Sequence, residues 1–285
     1  VLLSRFEYAA ARTVEEAVSR WGESPGAAYL AGGTDLLTQM RIGKRAPRLL
    51  IDIKRIEDLS AIRERTNGDL SIGAAVPLAA IAEHPIVRER YPLLAECCTR
   101  VGARPLRSRA TMIGNICNAS PAADTAVALL ALDAEAAACG PSGSRAIRIA
   151  DFFTGPGETS LLPGELVTEV VLPLAASGWR GAYFRLSRRR GMDLATVGVL
   201  VARSNGEDPG RHRVALASVA PTPLRVPEAE ACLDRNGAAA APRAAEIARE
   251  ACRPITDLRG TAAYRREMVG VLVRRGAAAL DRRTK

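Results

Sequence analysis

Tyr29-Leu30-Ala31-Gly32-Gly33-Thr34-Asp35-Leu36-Leu37 decides how the rest of the chain is read. An apolar run stops at two glycines, and a capping-type pair, Thr34-Asp35, opens an apolar segment with helical spacing. The stretch predicts a strand, a tight turn and a helix start. The glycines admit positive φ and let a ligand approach the backbone with no Cβ in the way. The first amides of the helix have no partner within it and favour an anion such as a phosphate. An ordinary strand–turn–helix corner has the same pattern, so both readings stand on this stretch alone.

The elements on either side extend the pattern. Phe6 and Tyr8 alternate with polar neighbours as on a short strand, and Thr13-Val14-Glu15-Glu16 has the spacing of a capping box before a helix through Trp21. Leu49-Leu50-Ile51-Asp52-Ile53 is a buried strand of the kind that pairs in parallel. The first 57 residues therefore read β-α-β-α-β, and ligands of such units sit at the carboxyl ends of the strands. From 58 onward the pattern becomes antiparallel, with strands Ile62–Arg65 and Leu70–Ala74 around the hairpin signal Asn67-Gly68. Residues 100–124 read as a long polar loop. Further strands are expected over Ala134–Cys139, Arg145–Ile149 and Leu166–Leu172. Pro173–Gly178 marks a boundary, so 1–176 form one domain, with subdomains of about 1–57 and 58–176, and 177–285 a second. In the second, Gly181–Leu186, Leu194–Ala202 and Val214–Val219 predict a three-stranded antiparallel sheet, with turns at Asn205-Gly206 and Pro209-Gly210 and helices near 242–252 and 260–281. The fold class is α+β.

Composition narrows the chemistry. Six cysteines without a Cys-x-x-Cys pair and two distant histidines, His84 and His212, argue against a metal site in this chain. A net charge of +9 carried mainly by arginine suits an anionic cofactor or an acidic partner. Nucleic-acid reading is not expected, because aromatics are few and no reading motif is present. No signal peptide or membrane span is visible, which predicts a cytoplasmic protein.

A second stretch is dense in hydroxyls, amides and small residues: Arg109-Ala110-Thr111-Met112-Ile113-Gly114-Asn115-Ile116-Cys117-Asn118-Ala119-Ser120-Pro121-Ala122-Ala123-Asp124. With Leu30–Leu37, with Phe152-Phe153 and Gly164–Val167, with Arg185 through Ala195, and with Pro254, Asp257, Arg259 and Tyr264-Arg265, it resembles the FAD-binding (medium) subunit of the molybdenum hydroxylases over nearly the whole chain. That family includes xanthine, carbon monoxide, aldehyde and aromatic-heterocycle dehydrogenases. The resemblance implies an oxidoreductase subunit that carries FAD. A large partner subunit would hold the molybdenum cofactor and a small one two [2Fe–2S] clusters, in a dimer of heterotrimers. Electrons would pass through the FAD to NAD⁺, oxygen or a quinone.

The resemblance also assigns roles. Leu30, Ala31, Gly32, Gly33, Thr34, Asp35 and Leu36 would form the pyrophosphate loop. Thr111, Gly114 and Asn115 would bind the phosphate and ribitol side, and Asp124 would hydrogen-bond the ribitol or ring. Leu166 or Val167 would pack on the adenine or the ring, and Arg185 would stand as a cation beside the flavin. One position departs from the family: Ile113 replaces a glycine. If that position needs positive φ, a β-branched residue is strained by about 1–3 kcal/mol, and weakened FAD binding is expected. A flavin-free scaffold subunit is therefore an alternative, as is a stand-alone flavin reductase or oxidase. The run Arg188-Arg189-Arg190 is read as a partner contact, a flavin-side cation cluster or a solvated turn, with the partner contact slightly preferred.

Overall fold

A hydroxyl cap sets the first helix. Thr13 Oγ accepts the Glu16 amide at 3.1 Å, and the Glu16 carboxylate accepts the Arg12 amide at 2.8 Å. The computed structural model describes residues 5–189, 191–205 and 210–282. Its first unit runs β1 (Glu7–Ala10), α1 (Val14–Glu23), β2 (Ala28–Leu30), α2 (Leu36–Arg41) and β3 (Leu49–Asp52), with parallel strands in the order β1-β3-β2. This is the expected β-α-β-α-β unit. At the carboxyl ends Asp52, 5% exposed, accepts the Tyr8 hydroxyl at 2.6 Å and Lys54 Nζ at 2.7 Å. Lys54 also donates to the Ala31 carbonyl at 3.1 Å, which pins the chain as it leaves β2. Burial works against the Asp52 charge, but the Lys54 and Tyr8 hydrogen bonds outweigh it and hold this carboxyl below the usual range.

The second unit is an antiparallel sheet of β4 (Ile62–Glu64), β5 (Leu70–Gly73), β6 (Glu135–Gly140), β7 (Gly143–Arg148) and β10 (Leu166–Leu172), in the order β4-β5-β10-β6-β7. A small ribbon, β8 (Phe153–Gly155) with β9 (Glu158–Thr159), precedes β10. Between β5 and β6 lie α3 (Leu78–Glu83), α4 (Pro85–Arg90), α5 (Pro92–Arg100), α6 (Arg104–Arg107), α7 (Met112–Cys117) and α8 (Asp124–Ala131). Residues 100–124 are thus not one loop. They hold two short helices, and at α7 the polar residue serves as a cap: Thr111 Oγ accepts the Gly114 amide at 3.0 Å and starts the helix.

The C-terminal sheet has four strands rather than three: β11 (Trp179–Leu186), β12 (Val197–Ser204), β13 (His212–Ala217) and β14 (Leu224–Arg225). The fourth, two residues long, is too short to show a periodicity. Helices α9 (Pro227–Asn236), α10 (Ala241–Ala251) and α11 (Ala262–Arg282) follow. Alternation along the strands sorts the side chains between two cores. Val197, Val199, Val201, Val214 and Leu216 join the core with the C-terminal helices, while Tyr183, Leu200, Ala202, Ala215 and Ala217 join the core of the preceding unit. The sheet is therefore covered on both faces, with α5 and α8 packed on the second. Arg265, 3% exposed, donates to the carbonyls of Thr196 at 2.8 Å and Ser218 at 3.0 Å and to Asp257. This ties the residues resembling a closing pattern to the strand ends. Arg190 and residues 206–209, the latter including one residue of each of the two expected turns, lie outside the described residues. Among the described residues no helix is long and apolar enough to cross a membrane.

Candidate functional site

The two glycine-bearing segments touch. A Cβ on Gly32 would stand 2.2 Å from the Arg109 carbonyl oxygen and 2.8 Å from Ala110 Cα. Gly32 is therefore needed for contact between two stretches of backbone, and only Gly33 has positive φ, +75°. The second segment is fixed in turn, since Leu78 donates its amide to the Ala110 carbonyl at 2.8 Å. Helix α2 takes its first bonds from Leu37 to the Gly33 carbonyl and from Gln39 to the Asp35 carbonyl. The amides of Gly32, Gly33, Thr34 and Asp35 find no acceptor among the described residues. Asp35 is not the side-chain cap its sequence position suggested: its backbone is already helical and its carboxylate makes no capping bond. Partial desolvation by the cleft walls pushes that carboxyl upward although the residue is exposed.

The cleft between these segments has a volume of about 670 Å³, within the range of cofactor sites. Further bonds hold its walls. Gln39 Nε2 donates to Asn118 Oδ1 at 2.9 Å, joining α2 to the end of α7, and Thr125 Oγ donates to Asn115 Oδ1 at 2.7 Å. The Ala119 carbonyl accepts the Gly157 amide at 2.9 Å, and the Pro121 carbonyl accepts the Ser218 amide at 2.8 Å. All three structural units thus grip the second segment.

The far end of the cleft is built on a buried carboxylate. Asp124, 5% exposed at the first turn of α8, accepts the Tyr183 hydroxyl at 2.6 Å and Arg185 Nε at 2.9 Å on the same oxygen, Oδ1. Arg185 also donates to the Asp193 carbonyl. Burial pushes the Asp124 carboxyl up, against the opposing pull of Arg185 and Tyr183. Burial, reinforced by Asp124, pushes the Tyr183 phenol well up. Arg185, expected as a cation beside the flavin, is an ion-pair partner of Asp124 whose side chain is 10% exposed.

Twelve of the candidate residues line the cleft: Leu30, Ala31, Gly32, Gly33, Thr34, Asp35, Leu36, Thr111, Gly114, Asn115, Asp124 and Arg185. Leu166 and Val167 do not. They lie on β10 with 4% and 2% exposure, packed in the core, because both faces of that strand are covered at this point. Ile113 is also away from the cleft. It sits within α7 without positive φ and its side chain, 5% exposed, joins the core. The strain expected at this position is absent, and a β-branched side chain is well placed there. Tyr183, Gln39, Lys44, Arg45 and Leu194 were not singled out as site residues. Tyr183 had a usable signal, since it lies two residues before Arg185 on a strand and shares its face. Lys44 and Arg45 had none, because the folding-back of the chain after α2 places them, and Gln39 had none because its partner Asn118 is 79 residues away.

Unpaired amides at the Gly32–Asp35 turn, a hydroxyl at Thr34 and a fixed carboxylate at the other end of the cleft suit a long phosphate-bearing ligand with a polar ring system. The comparisons agree. Residues 4–175 match the FAD binding domain in molybdopterin dehydrogenase, and residues 182–280 the CO dehydrogenase flavoprotein C-terminal domain. The chain is 37% identical over 277 residues to the carbon monoxide dehydrogenase medium chain of Hydrogenophaga pseudoflava, covering 95% of each. It is 32% identical to the glyceraldehyde dehydrogenase medium chain of Sulfolobus acidocaldarius, covering 94% of this chain and 95% of that one. A solved structure of carbon monoxide dehydrogenase from Hydrogenophaga pseudoflava superposes with a TM-score of 0.91 over 98% of both chains. The chain belongs to the FAD-binding medium subunits of the molybdenum hydroxylase family and is an oxidoreductase component.

Proposed function

We propose that this chain holds FAD in the cleft between Leu30–Leu36 and Thr111–Asn115 and serves as the electron-transfer subunit of a molybdenum hydroxylase complex. The supporting observation is the contact at Gly32, which brings the unpartnered amides of Gly32–Asp35 to one cleft with Thr111, Gly114 and Asn115. Bound there, FAD would supply the exchange between one-electron and two-electron carriers. The amides of Gly32–Asp35 and the Thr34 hydroxyl hold its phosphates. Asp124, kept in place by Tyr183 and Arg185, accepts hydrogen bonds from its polar ring or ribitol. Residues 1–176 act as the FAD-binding domain, and 177–285 close the cleft through Arg185 and Leu194.

In this proposal a partner subunit with two [2Fe–2S] clusters delivers electrons from the large molybdenum-cofactor subunit, and NAD⁺, oxygen or a quinone removes them. The relatives' names support a multi-subunit dehydrogenase and differ in substrate, carbon monoxide or glyceraldehyde, so the substrate belongs to the complex rather than to this chain. The flavin-free reading rested on Ile113, and with that side chain in the core no observation favours it. None favours a stand-alone reductase. Co-expression with the genes of the two partner subunits tests the proposal. The expected result is one complex containing all three chains, whose flavin is reduced when the complex's substrate is added. A chain that elutes alone and whose flavin is reduced only by added NADH would contradict it.

A further inference from the structure

The cations that line the cleft differ in how they are engaged. Arg185 is spent on Asp124 and the Asp193 carbonyl. Lys44 and Arg45 also line the cleft, are exposed, and have no ion pair among the described residues. Of the carboxylates that line the cleft, Asp124 is held by Arg185, Asp193 pairs with Arg188, and Asp35 has neither basic residue as a partner.

Local structure shows how the pair comes to face the cleft. Gly43 follows the last turn of α2 with φ +74°. Its amide bonds to the Met40 carbonyl at 3.1 Å, and the next amide, of Lys44, reaches back to the Gln39 carbonyl at 2.9 Å. These are the two bonds of a Schellman reversal. Arg45 donates to the same Gln39 carbonyl at 3.3 Å. The side chain of Gln39 is bonded to Asn118 across the cleft. One residue thus ties the basic pair to both walls. Basic residues after a helix also ease the charge of its carbonyl end, and Arg41, in the last turn of α2, does that without lining the cleft. The amides at the start of α2 are neutral donors. They orient a diphosphate but do not balance its charge.

We infer that Lys44 and Arg45 form a cationic subsite for the diphosphate of a dinucleotide bound in this cleft. The inference rests on the proposed function, and the diphosphate is that of FAD or of a nicotinamide dinucleotide acceptor. The test uses the full chain stripped of flavin. FAD is titrated by fluorescence quenching, and NAD⁺ is titrated onto the flavin-loaded protein, for the parent, for Lys44→Ala/Arg45→Ala and for Arg41→Ala. If FAD supplies the diphosphate, the double variant weakens FAD binding about 10- to 100-fold at low salt. The difference shrinks as salt screens the charges, and Arg41→Ala changes affinity less than about 2-fold. If the acceptor supplies it, FAD affinity is unchanged and NAD⁺ binding weakens by about that factor. Unchanged affinity for both, or an Arg41→Ala effect as large as that of the double variant, overturns the inference. A parent that takes up no FAD contradicts the proposed function instead. In that case inorganic pyrophosphate, bound by the parent and lost in the double variant, still supports the subsite, and equal binding by both overturns it.

Discussion

Gly32→Ala is expected to leave the purified chain nearly free of flavin. The new methyl group would meet two backbone atoms, the Arg109 carbonyl oxygen at 2.2 Å and Ala110 Cα at 2.8 Å. Neither can swing aside as a side chain would. The Arg109–Ala110 segment is also held from behind by the Leu78 amide, so the two walls of the cleft must part. Overpacking of this kind costs about 1–3 kcal/mol of stability. Affinity suffers more, since both segments lining the cleft must converge on one ligand. A loss of about 100-fold, or about 2.7 kcal/mol, is expected on titration with FAD. Gly22→Ala is the control. Gly22 lies in helix α1, and a Cβ there meets nothing within 4 Å. The same methyl should raise stability by about 0.5–1 kcal/mol and leave FAD affinity unchanged.

Asp124→Ala is expected to be the most destabilising single change near the site. It would leave Arg185, with a side chain 10% exposed, and the fully surrounded Tyr183 hydroxyl without their shared acceptor. Breaking a buried pair from one side costs about 3–5 kcal/mol, because the remaining charge is stranded. Urea unfolding of the flavin-free chain measures this without interference from ligand binding. Asp124→Asn keeps an acceptor oxygen and should lose less. Removing both partners, Asp124→Leu with Arg185→Met, should recover much of the loss, and the double-mutant cycle gives the coupling directly. Equal losses from the single and the double changes would show that packing, not the ion pair, holds this end of the cleft.

What was legible in the sequence depended on how local its cause is. The β-α-β-α-β unit follows from apolar runs and a capping box that act within a few residues, and it appears with the expected parallel pairing. Strand β10 was legible to the residue, because its β-branched run is bounded by Gly164 and Pro173. Residues 100–124 misled because a polar composition serves capping as well as looping, and Thr111 is a cap. The burial of Leu166, Val167 and Ile113 could not be read along the chain. Each is apolar, and whether an apolar side chain meets a ligand or a core depends on elements far away in sequence. The Asp124–Tyr183–Arg185 cluster was half visible, since the carboxylate and the arginine were singled out but the tyrosine that completes them was not. Four strands rather than three in the last sheet reflect a strand of two residues, held by pairing with β13 rather than by its own pattern.

The flavin content of the purified chain bears most directly on the cleft. Heat denaturation of protein purified at low salt, followed by identification of the released flavin, should yield about one equivalent of FAD per parent chain and very little from Gly32→Ala. A parent chain that releases no flavin and takes up none on incubation with FAD would contradict the account, as would a Gly32→Ala chain that retains a full equivalent.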